Sequence, residues 1–559
     1  MPIMLPKNCL SGPMVAAVAF SVLLPGVVMA DNMAANPSAE QVAADGTPVG
    51  WGMYVGAGRM KLTAAADQKH TGQRSACLQL TRWYTPPGAA DSAANHSIGG
   101  AMVLAPNDGY GAKGALPCRA ETSYAFCFWY KGDIRSATVS AVGWPSATAN
   151  DTKRIWLPVS QASMSPDAQW RKCTGRLRIS AGVERFALTV HISGKEADGF
   201  QLGKLYVDDV EIVSHDYPDG ELRAMWCGLP KATERDQARR EIATSLDKAK
   251  SGGFNTLFVW TQSRYLAALE RPELQKIEPQ AVWDVLAELI RAAKERGIQV
   301  HLWYSPWIYK SSRAVELDDH PQWAALSAKG VASKDGVCFI RPEVRRYELE
   351  LIGKAVDRYA DLAGIHIEEP GFDWGNDFCY CDHCRRFCQE TFATDIRQNP
   401  ETTKAMLNNL AAFMCTDFFA RLREMTMNKR PSLWLSANGC GGANPDWYIG
   451  RDWATWARRG YLDFYVPQLY TRSVESFLHD GQTTKSYLAD CDMVTGMAVS
   501  WSGIYPALQP PELIQAEIAA ARKLGAKGFS IFHQDFFRAE DYRAVRAVTQ
   551  EKNGSAPAH

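Results

Sequence analysis

The pattern of hydrophobic and polar positions changes once along the chain, near residue 220. From about residue 36 to 213, short runs of β-branched and aromatic residues are separated by Gly, Pro, Asn and Ser, a pattern typical of antiparallel strands. Representative runs are ACLQLTRWY, SYAFCFWYKG, RFALTVHISG and KLYVDDVEIV. Strands at this spacing close into a sandwich or jelly roll, so we predict an all-β jelly-roll sandwich over residues 31–215.

From Leu222 onward, apolar runs alternate with segments in which apolar residues recur every three or four positions. This alternation predicts parallel strands that are buried on both faces and joined by helices. The predicted strands are RAMWCG, NTLFVW, IQVHLWY, AGIHIEEP, SLWLSANG, LDFYVPQLY, VTGMAVSW and KGFSIFHQ. Eight such units predict an α/β TIM (β/α)8 barrel over residues 222–548, joined to the sandwich by a linker at 216–221. The alternative is an open doubly wound sheet, but residues 222–559 contain no G-x-G-x-x-G turn or P-loop.

The N-terminal segment differs from the rest of the chain. Lys7 precedes an apolar run from Met14 to Val28, and Val28-Met29-Ala30 has the pattern of a signal-peptidase site. The alternative is a membrane anchor, but the run is shorter than the ~20 residues that span a bilayer. We therefore expect residues 1–30 to be a cleaved signal peptide, the mature protein to be secreted or periplasmic, and no membrane span after cleavage.

Composition and charge narrow the classes of partner. Lys+Arg and Asp+Glu each number 61, and no long run of one sign occurs. A nucleic-acid partner or a polybasic membrane contact is therefore not expected. With 46% hydrophobic residues, the 559-residue chain can form buried cores, and we expect disorder only in a tail at 549–559.

The predicted strand ends carry aromatic rings, amides and carboxylates. In a TIM barrel the active site lies where strands end and loops begin. A sugar stacks its C–H faces on aromatic rings and binds polar groups through its hydroxyls, so a carbohydrate is the expected substrate. The candidate substrate-binding residues are Trp226, Trp260, Trp303, Tyr304, His366, Asn438, Gln468, Tyr470, Trp501 and His533. The alternative for each aromatic residue is core filling, because a chain with 18 Trp buries most of them.

Two adjacent glutamates end the fourth predicted strand, in the sequence IHIEEP. Alternation places His366 and Glu368 on one face of the strand and Glu369 on the other, so one glutamate points into the barrel. An acid desolvated there by aromatic residues would have a raised pKa and would suit general-acid catalysis. The alternative is a structural ion pair with an arginine. We take Glu368, then Glu369, as the catalytic candidates.

Glycoside hydrolysis normally needs a second carboxylate. The sixth and seventh predicted strands offer none, and Asp535 after the eighth strand is the remaining strand-end candidate. Asp373 and Asp377, in the loop after the fourth strand, are further alternatives. Retention needs carboxyl groups ~5–5.5 Å apart and inversion ~6.5–9.5 Å, a distance that no sequence pattern supplies.

Cys379, Cys381 and Cys384 form a C-x-C-x-x-C pattern with His383 beside them. These residue types could hold a structural zinc ion, but no second C-x-x-C completes a standard site. In an exported protein a Cys381–Cys384 disulfide is equally natural. We expect a disulfide or free thiols in preference to zinc, no catalytic metal and no required cofactor.

Several motifs of the second half occur in a familiar order. They are RAMWCGLP, GGFNTLFVWTQ, CFIRPEVRRYELELIGKAVDRY, AGIHIEEPGF, CYCDHCRRFCQETF, LDFYVPQLY and GAKGFSIFHQDFF. Over about 220–545 the chain resembles the family-ten-like glycosyl hydrolases, which are exported bacterial barrel proteins. The resemblance implies O-glycosyl hydrolysis, and it places Glu368 at the acid position of that family's GIH-φ-D pattern, with Glu in place of Asp.

The first domain, with NPSAEQVAADGTPVGW near its start and LYVDDVEIV at its end, resembles galactose-binding-like jelly-roll carbohydrate-binding modules. That resemblance implies sugar binding and a structural role for Asp208 and Asp209, with calcium as a candidate ligand nearby. Two functional alternatives stay open. One is a non-catalytic sugar-binding protein on a degenerate hydrolase barrel, and the other is an exported enzyme that cleaves polysaccharide by a different reaction, such as a lyase.

Overall fold

The structure is a computed structural model, and it describes residues 32–34, 36–104, 111–160, 163–306, 316–371, 379–398, 400–442, 449–500 and 508–554. The predicted signal peptide at 1–30 lies outside the described residues, as do Asp373, Asp377 and Trp501.

The N-terminal domain consists of antiparallel strands. They are β1 (Gly52–Ala57), β2 (Arg59–Ala65), β3 (Ser75–Arg82), β4 (Ser97–Val103), β5 (Leu116–Pro117), β6 (Ser123–Gly132), β7 (Ala137–Trp144), β8 (Ile155–Leu157), β9 (Ser163–Met164), β10 (Arg171–Arg178), β11 (Arg185–Lys195) and β12 (Lys204–Ser214). One sheet has the order β1-β4-β11-β7-β8, with β5 beside β11 and β9 beside β7, and the other has the order β10-β6-β12-β3-β2. Alternating apolar residues of both sheets, such as Phe126, Phe128 and Leu188, meet in one buried core.

The C-terminal domain is a closed parallel barrel. Its strands, with a hairpin between the third and fourth, are β13 (Leu222–Gly228), β14 (Thr256–Trp260), β15 (Gln299–Tyr304), the hairpin β16 (Ala324–Leu326) and β17 (Ala332–Val337), β18 (Gly364–Ile367), β19 (Trp434–Cys440), β20 (Phe464–Gln468), β21 (Asp492–Met493), β22 (Thr495–Ala498) and β23 (Gly528–Phe532). The order is β19-β18-β15-β14-β13-β23-β22-β20, and pairing of β19 with β20 closes the barrel. The predicted fold class, a β-sandwich followed by a TIM barrel, is therefore confirmed.

Helices surround the barrel. They are α1 (Arg235–Ser251), α2 (Ser263–Ala268), α3 (Val285–Glu295), α4 (Glu316–Asp319), α5 (Pro342–Arg358), α6 (Asp382–Phe392), α7 (Pro400–Lys429), α8 (Trp453–Arg458), α9 (Val474–Tyr487), α10 (Pro511–Lys523) and α11 (Ala539–Gly554). Local signals set their ends: Pro occupies the first turn of α5 and α10, and the Asp284 side chain caps α3. None of these helices is both long enough and apolar enough to cross a bilayer.

Helix α11 continues to Gly554. The sequence predicts that the barrel ends at residue 548 and that a disordered tail follows. The Thr549 side chain is buried and donates to the carbonyl of Arg546. A Cβ on Gly253 would come within 2.4 Å of the Thr549 hydroxyl oxygen, so this last turn is packed against the end of α1. The packing explains why the helix extends into the segment predicted as a tail.

The sandwich packs against the amino-terminal ends of the barrel strands. The ring of His215 stacks on Trp434, the first residue of β19, with centroids 3.8 Å apart. The Tyr217 hydroxyl donates to Asp492, the first residue of β21, at 2.9 Å. Arg176 of β10 forms a buried ion pair with Asp463, just before β20. These contacts leave the carboxyl ends of the strands, where TIM-barrel sites form, at the opposite side of the barrel from the sandwich.

Candidate active site

Neighbouring strands β14, β15, β18 and β19 bring their carboxyl ends together in register. Trp260 lies opposite Trp303, and Trp303 lies opposite His366. The Trp260 and Trp303 rings meet edge to face, with centroids 4.7 Å apart and an interplanar angle of 65°. This arrangement places two indole rings at the rim, where the peptide that follows β18 carries the two glutamates.

Glu368 is the first residue after β18, and it is only 3% exposed. The Trp303 indole N–H donates to its Oε2 atom, and the Asn438 side-chain amide donates to the same oxygen at 2.9 Å. Desolvation by burial, followed by the neighbouring Glu369 charge, raises the pKa of Glu368 to about 8, although both hydrogen bonds oppose the rise. The carboxyl group is therefore protonated at neutral pH and can donate a proton.

Glu369 is turned away by a left-handed backbone conformation, with φ of 31°. Its backbone N–H donates to Asn438 Oδ1 at 2.9 Å, and its carboxylate lies 3.5 Å from the guanidinium of Arg451. Arg451 also donates to the carbonyl oxygens of Glu369 and Pro370, at 3.3 and 3.0 Å. The two adjacent carboxyl groups thus have different environments: Glu368 is hydrogen-bonded to neutral donors, and Glu369 faces a buried cation.

The turn after the glutamates requires glycine. Gly371 has φ of 142°, and a Cβ there would lie 2.6 Å from the Ile449 carbonyl oxygen. A side chain would strain the backbone and would collide with the segment that carries Arg451. The sequence EEPG therefore sets the direction of the chain immediately after the two carboxyl groups.

Further predicted residues lie at the same end of the barrel. Asn438 is buried in β19 and contacts both glutamates, and Gln468 is the half-buried last residue of β20. The ring of Tyr470 lies 6.2 Å from Phe532 at the end of β23, and His533 lies 6.1 Å from Trp303. Burial lowers the pKa of His533, so its imidazole is neutral at physiological pH.

Two predicted substrate-binding residues, Trp226 and His366, lie in the barrel interior. Trp226 is fully buried and lies within 6.4 Å, centroid to centroid, of the Trp303 ring, so it fills the barrel interior. His366 is also fully buried, stacks on Phe258 at 4.1 Å, and shares a 2.9 Å hydrogen bond with Ser436. For both, core filling is the interpretation that the geometry favours.

Tyr304 points out of the barrel. Its hydroxyl donates to the Glu348 carboxylate on α5, because successive side chains of a strand alternate between faces and Trp303 takes the inner one. The ring belongs to the core between the strands and the surrounding helices. The structure therefore does not bring Tyr304 to the rim with the other candidates.

Asp535, the predicted second carboxylate, is half exposed. Its Oδ2 atom lies 3.0 Å from Lys231 Nζ, and its side chain is 53% accessible. Both residues border a cavity of about 500 Å³ beside α1, which Gly228 at the end of β13 also lines. The structure therefore gives Asp535 a cationic partner at the edge of the barrel mouth.

Asp208 and Asp209 of the sandwich accept several hydrogen bonds from protein donors. Asp208 accepts from the backbone N–H groups of His70 and Thr71, at 2.7 and 3.2 Å. Asp209 accepts from the Ser38 hydroxyl at 2.7 Å and contacts the His70 ring at 2.7 Å. These contacts tie the loop before β3 to β12, which is a structural role of the kind the sequence predicts.

Comparison with known protein families identifies the C-terminal domain. A family model described as Glycosyl hydrolase-like 10 matches residues 221–503, just over half of the chain. The chain belongs to the Glycosyl hydrolase-like 10 family. The resemblance stated from the sequence motifs is thereby confirmed. None of the curated proteins is significantly similar to this chain.

Solved structures similar to this Glycosyl hydrolase-like 10 chain include glycosidases of low identity. The CBM22-1–GH10 modules of Clostridium thermocellum endo-1,4-beta-D-xylanase 10B are 12% identical with a TM-score of 0.34, over 93% of this chain and 98% of that one. The alpha-L-fucosidase isoenzyme 2 of Paenibacillus thiaminolyticus is 14% identical with a TM-score of 0.41, over 60% of this chain and 49% of that one. The CBM22-1 xylan-binding domain of Paenibacillus barcinonensis Xyn10C is 14% identical with a TM-score of 0.20, over 32% of this chain and 91% of that one.

In the structure of this Glycosyl hydrolase-like 10 chain, a fourth cysteine lies beside the three cysteines of the C-x-C-x-x-C motif. Cys338, directly after β17, lies against Cys381 and Cys384, and all four sulfur atoms are within 4.8 Å of one another. In the structure, Cys338, Cys379, Cys381 and Cys384 are free thiols. The sequence predicts a disulfide or free thiols at this motif, and no disulfide joins these four cysteines.

Sequence reasoning missed Cys338, Arg451 and Ser436. Each lies far along the chain from the motif it joins and stands alone in its own segment, so no local spacing marks it. Arg451 in particular follows a strand by several residues and is buried against the EEPG turn. Such partners become visible only when distant segments meet.

Proposed function

We propose that this protein is an exported glycoside hydrolase in which Glu368 acts as the general acid at the carboxyl-terminal rim of the barrel. The observation that carries the proposal is the state of Glu368: a buried carboxyl group, protonated at neutral pH, among indole rings at the end of a barrel strand. A group with this pKa can protonate a glycosidic oxygen at neutral pH, which an ordinary exposed glutamate does poorly.

The surroundings of Glu368 suit a poly- or oligosaccharide. Trp260, half-buried and packed edge to face on the 6% exposed Trp303, offers an apolar surface for the C–H face of a sugar ring. Gln468, the half-buried last residue of β20, supplies an amide for hydroxyl groups beside that surface. In the proposal the sandwich binds carbohydrate as well, and its attachment to the opposite end of the barrel keeps the rim accessible to a long chain.

A second candidate is a barrel that binds sugar without cleaving it. Its support is the pairing of the other described strand-end carboxylates: Glu369 with Arg451, and Asp535 with Lys231. A carboxylate held by a cation is a poor base, whereas hydrolysis requires a group that activates water or attacks the sugar. This candidate predicts specific retention of a glycan and no new reducing ends.

The deciding experiment measures products released from plant, host and bacterial-wall glycans by the mature protein and by Glu368→Gln. New reducing ends with the wild type, and a loss of at least about 100-fold in kcat for the variant, would support the proposal. Unsaturated products would indicate a lyase, and retention without products would indicate the binding protein.

Glu517→Gln is the matched control. Glu517 is a buried carboxyl group on α10 whose pKa burial raises to about 8, so the control removes a similar proton away from the rim. Its kcat should stay within about twofold of the wild type. An equal loss in both variants would show that the effect of Glu368→Gln is not specific to the site.

Export is tested separately. N-terminal sequencing of the protein from the periplasm or medium should begin near Asp31, directly after the Val28-Met29-Ala30 pattern. Recovery of intact Met1 from a cytosolic or membrane fraction would contradict export and would leave the chemistry of Glu368 unaffected.

A further inference from the structure

Four buried cysteines from two segments converge beside the barrel rim. The Sγ atoms of Cys338 and Cys384 are 3.4 Å apart, and Cys381 Sγ lies 3.6 Å from each of them. Cys379 completes the group, and all four sulfur atoms lie within 4.8 Å of one another. Within the described ranges, no other group of three or more His, Cys, Asp or Glu side chains has a geometry suited to a metal ion.

The geometry points to a structural zinc site formed by Cys338, Cys379, Cys381 and Cys384. A zinc ion bound at ~2.3 Å to four thiolates in a tetrahedron holds the sulfur atoms about 3.8 Å apart. The separations here are close to that value, whereas a disulfide joins two sulfur atoms at ~2.05 Å. A pair of disulfides would also leave two separate pairs, not one group in which Cys381 is equally distant from two partners.

The protein around the four sulfur atoms is organised as zinc–thiolate sites require. The Leu326 backbone N–H faces Cys379 Sγ at 3.4 Å, and the Tyr380 N–H donates to the Leu326 carbonyl at 2.8 Å. Backbone donors to sulfur lower the charge that a thiolate carries and orient it towards the ion. Cys381 immediately precedes α6, so its sulfur lies near the positive end of that helix dipole.

Charge compensation is also available. Binding replaces four thiol protons by one Zn²⁺, which releases four protons and leaves a net charge of −2 on the site. Arg341 follows Cys338 by three residues and pairs with Glu343 at 3.1 Å, and its charge also interacts with Cys381 and Cys338. Its Nε atom is buried, and among the described residues it has no hydrogen-bond partner. A cation in this position stabilises an anionic zinc–thiolate centre.

The site would connect the two loops that border Glu368. Cys338 follows the hairpin β16–β17 inserted after β15, Cys379 and Cys381 lie between β18 and α6, and Cys384 lies in the first turn of α6. Four protein ligands leave no open position for water or substrate, so the ion would have a structural role and would not take part in chemistry. It would fix the segment that continues from Glu368 and Glu369 against the neighbouring hairpin.

The test measures metal in the full-length mature protein, purified after expression with added ZnSO₄ and without chelator. Elemental analysis should find about one zinc per chain in the wild type and less than about 0.2 in Cys338→Ser and Cys381→Ser. Cys415→Ser, which removes a buried thiol on α7 outside the cluster, should retain the full amount. Replacement by Co²⁺ should give the intense visible absorption of tetrahedral cobalt–thiolate coordination.

Measurements on the wild type alone can contradict the proposal, so the test remains valid even if the serine variants do not fold. Absence of zinc together with an intact mass 2 or 4 Da below the reduced value would identify disulfides and overturn the proposal. Absence of zinc with all 13 cysteines of the mature chain reactive after denaturation would also overturn it. Neither result depends on glycosidase activity, so failure of the zinc site and failure of the proposed function are distinguishable.

Discussion

The indole N–H of Trp303 and the carboxyl group of Glu368 form a buried hydrogen bond across adjacent strands of the barrel, with Asn438 donating to the same carboxyl oxygen. Both donors stabilise the carboxylate, but the loss of water and the charge of Glu369 outweigh them, and the pKa of Glu368 is raised to about 8. A proton donor that works at neutral pH results from this balance.

The first prediction concerns the pH dependence of catalysis. Because a general acid must be protonated, kcat/KM on a cleaved glycan should be constant on the acid side of neutrality and fall as pH rises through about 8, the raised pKa of Glu368. A pH–rate profile of the wild type measures this decrease, which is the basic limb of the profile. A basic limb near pH 5 would show that an ordinary carboxyl group, and not Glu368, is the acid.

Two substitutions should move this limb in opposite directions. Trp303→Phe removes a donor that stabilises the carboxylate, so the pKa of Glu368 should rise and the limb should move to higher pH. Glu369→Gln removes a neighbouring negative charge, so the pKa should fall and the limb should move to lower pH. The readout is the position of the limb, which simple loss of substrate binding would leave unchanged.

Glu368 should also affect stability in a pH-dependent manner. Its pKa is higher in the folded protein than its usual value of 4.5, so its favourable contribution is complete below about pH 4.5 and is lost as pH rises through about 8. Glu368→Gln should therefore match the wild type at acidic pH and become more stable at pH 9, by a few kcal/mol. Urea denaturation at pH 4.5 and pH 9 tests this; a constant difference would contradict the raised pKa.

The outward orientation of Tyr304 leads to a prediction about the neighbouring pair of aromatic residues. Tyr304→Phe removes the hydroxyl donor to buried Glu348, which should cost about 1–3 kcal/mol of unfolding free energy and leave KM unchanged. Trp303→Phe should raise KM as well as moving the pH limb. An effect of Tyr304→Phe on KM alone would restore Tyr304 as a substrate contact.

Asp463 should couple the two domains. Burial would raise the pKa of Asp463, but the charges of Arg176 and Arg423 hold it below its usual range. The pair's contribution is therefore present above about pH 4 and is lost as pH falls below that value. Arg176→Ala and Asp463→Ala should each cost about 3–5 kcal/mol, and the double variant less than their sum.

Arg171, which lies on β10 with Arg176, provides the control for this double-mutant cycle. Arg171→Ala breaks an exposed pair with Asp167, in which the side chains are 55% and 40% accessible, and should cost under about 1 kcal/mol. Calorimetry of the Arg176 variant should also show the sandwich and the barrel unfolding in separate transitions. A single unchanged transition would show that the ion pair does not join the domains.

The sequence by itself determined the two domains, the eight barrel strands and the position of Glu368 at a strand end. These features follow from local periodicity, because a strand buried on both faces must be apolar throughout and a helix on the barrel surface must be apolar on one side. The family motifs, which are local in the same sense, gave the correct family.

Only the tertiary structure decided the environment of each side chain. Alternation separates Trp303 from Tyr304, but the closure of the barrel determines that Trp303 is inside. Arg451 reaches Glu369, and Cys338 reaches Cys381, from segments far away in the chain. The physical reason is that burial leaves a local pattern of apolar residues, whereas a contact between two distant polar side chains leaves none.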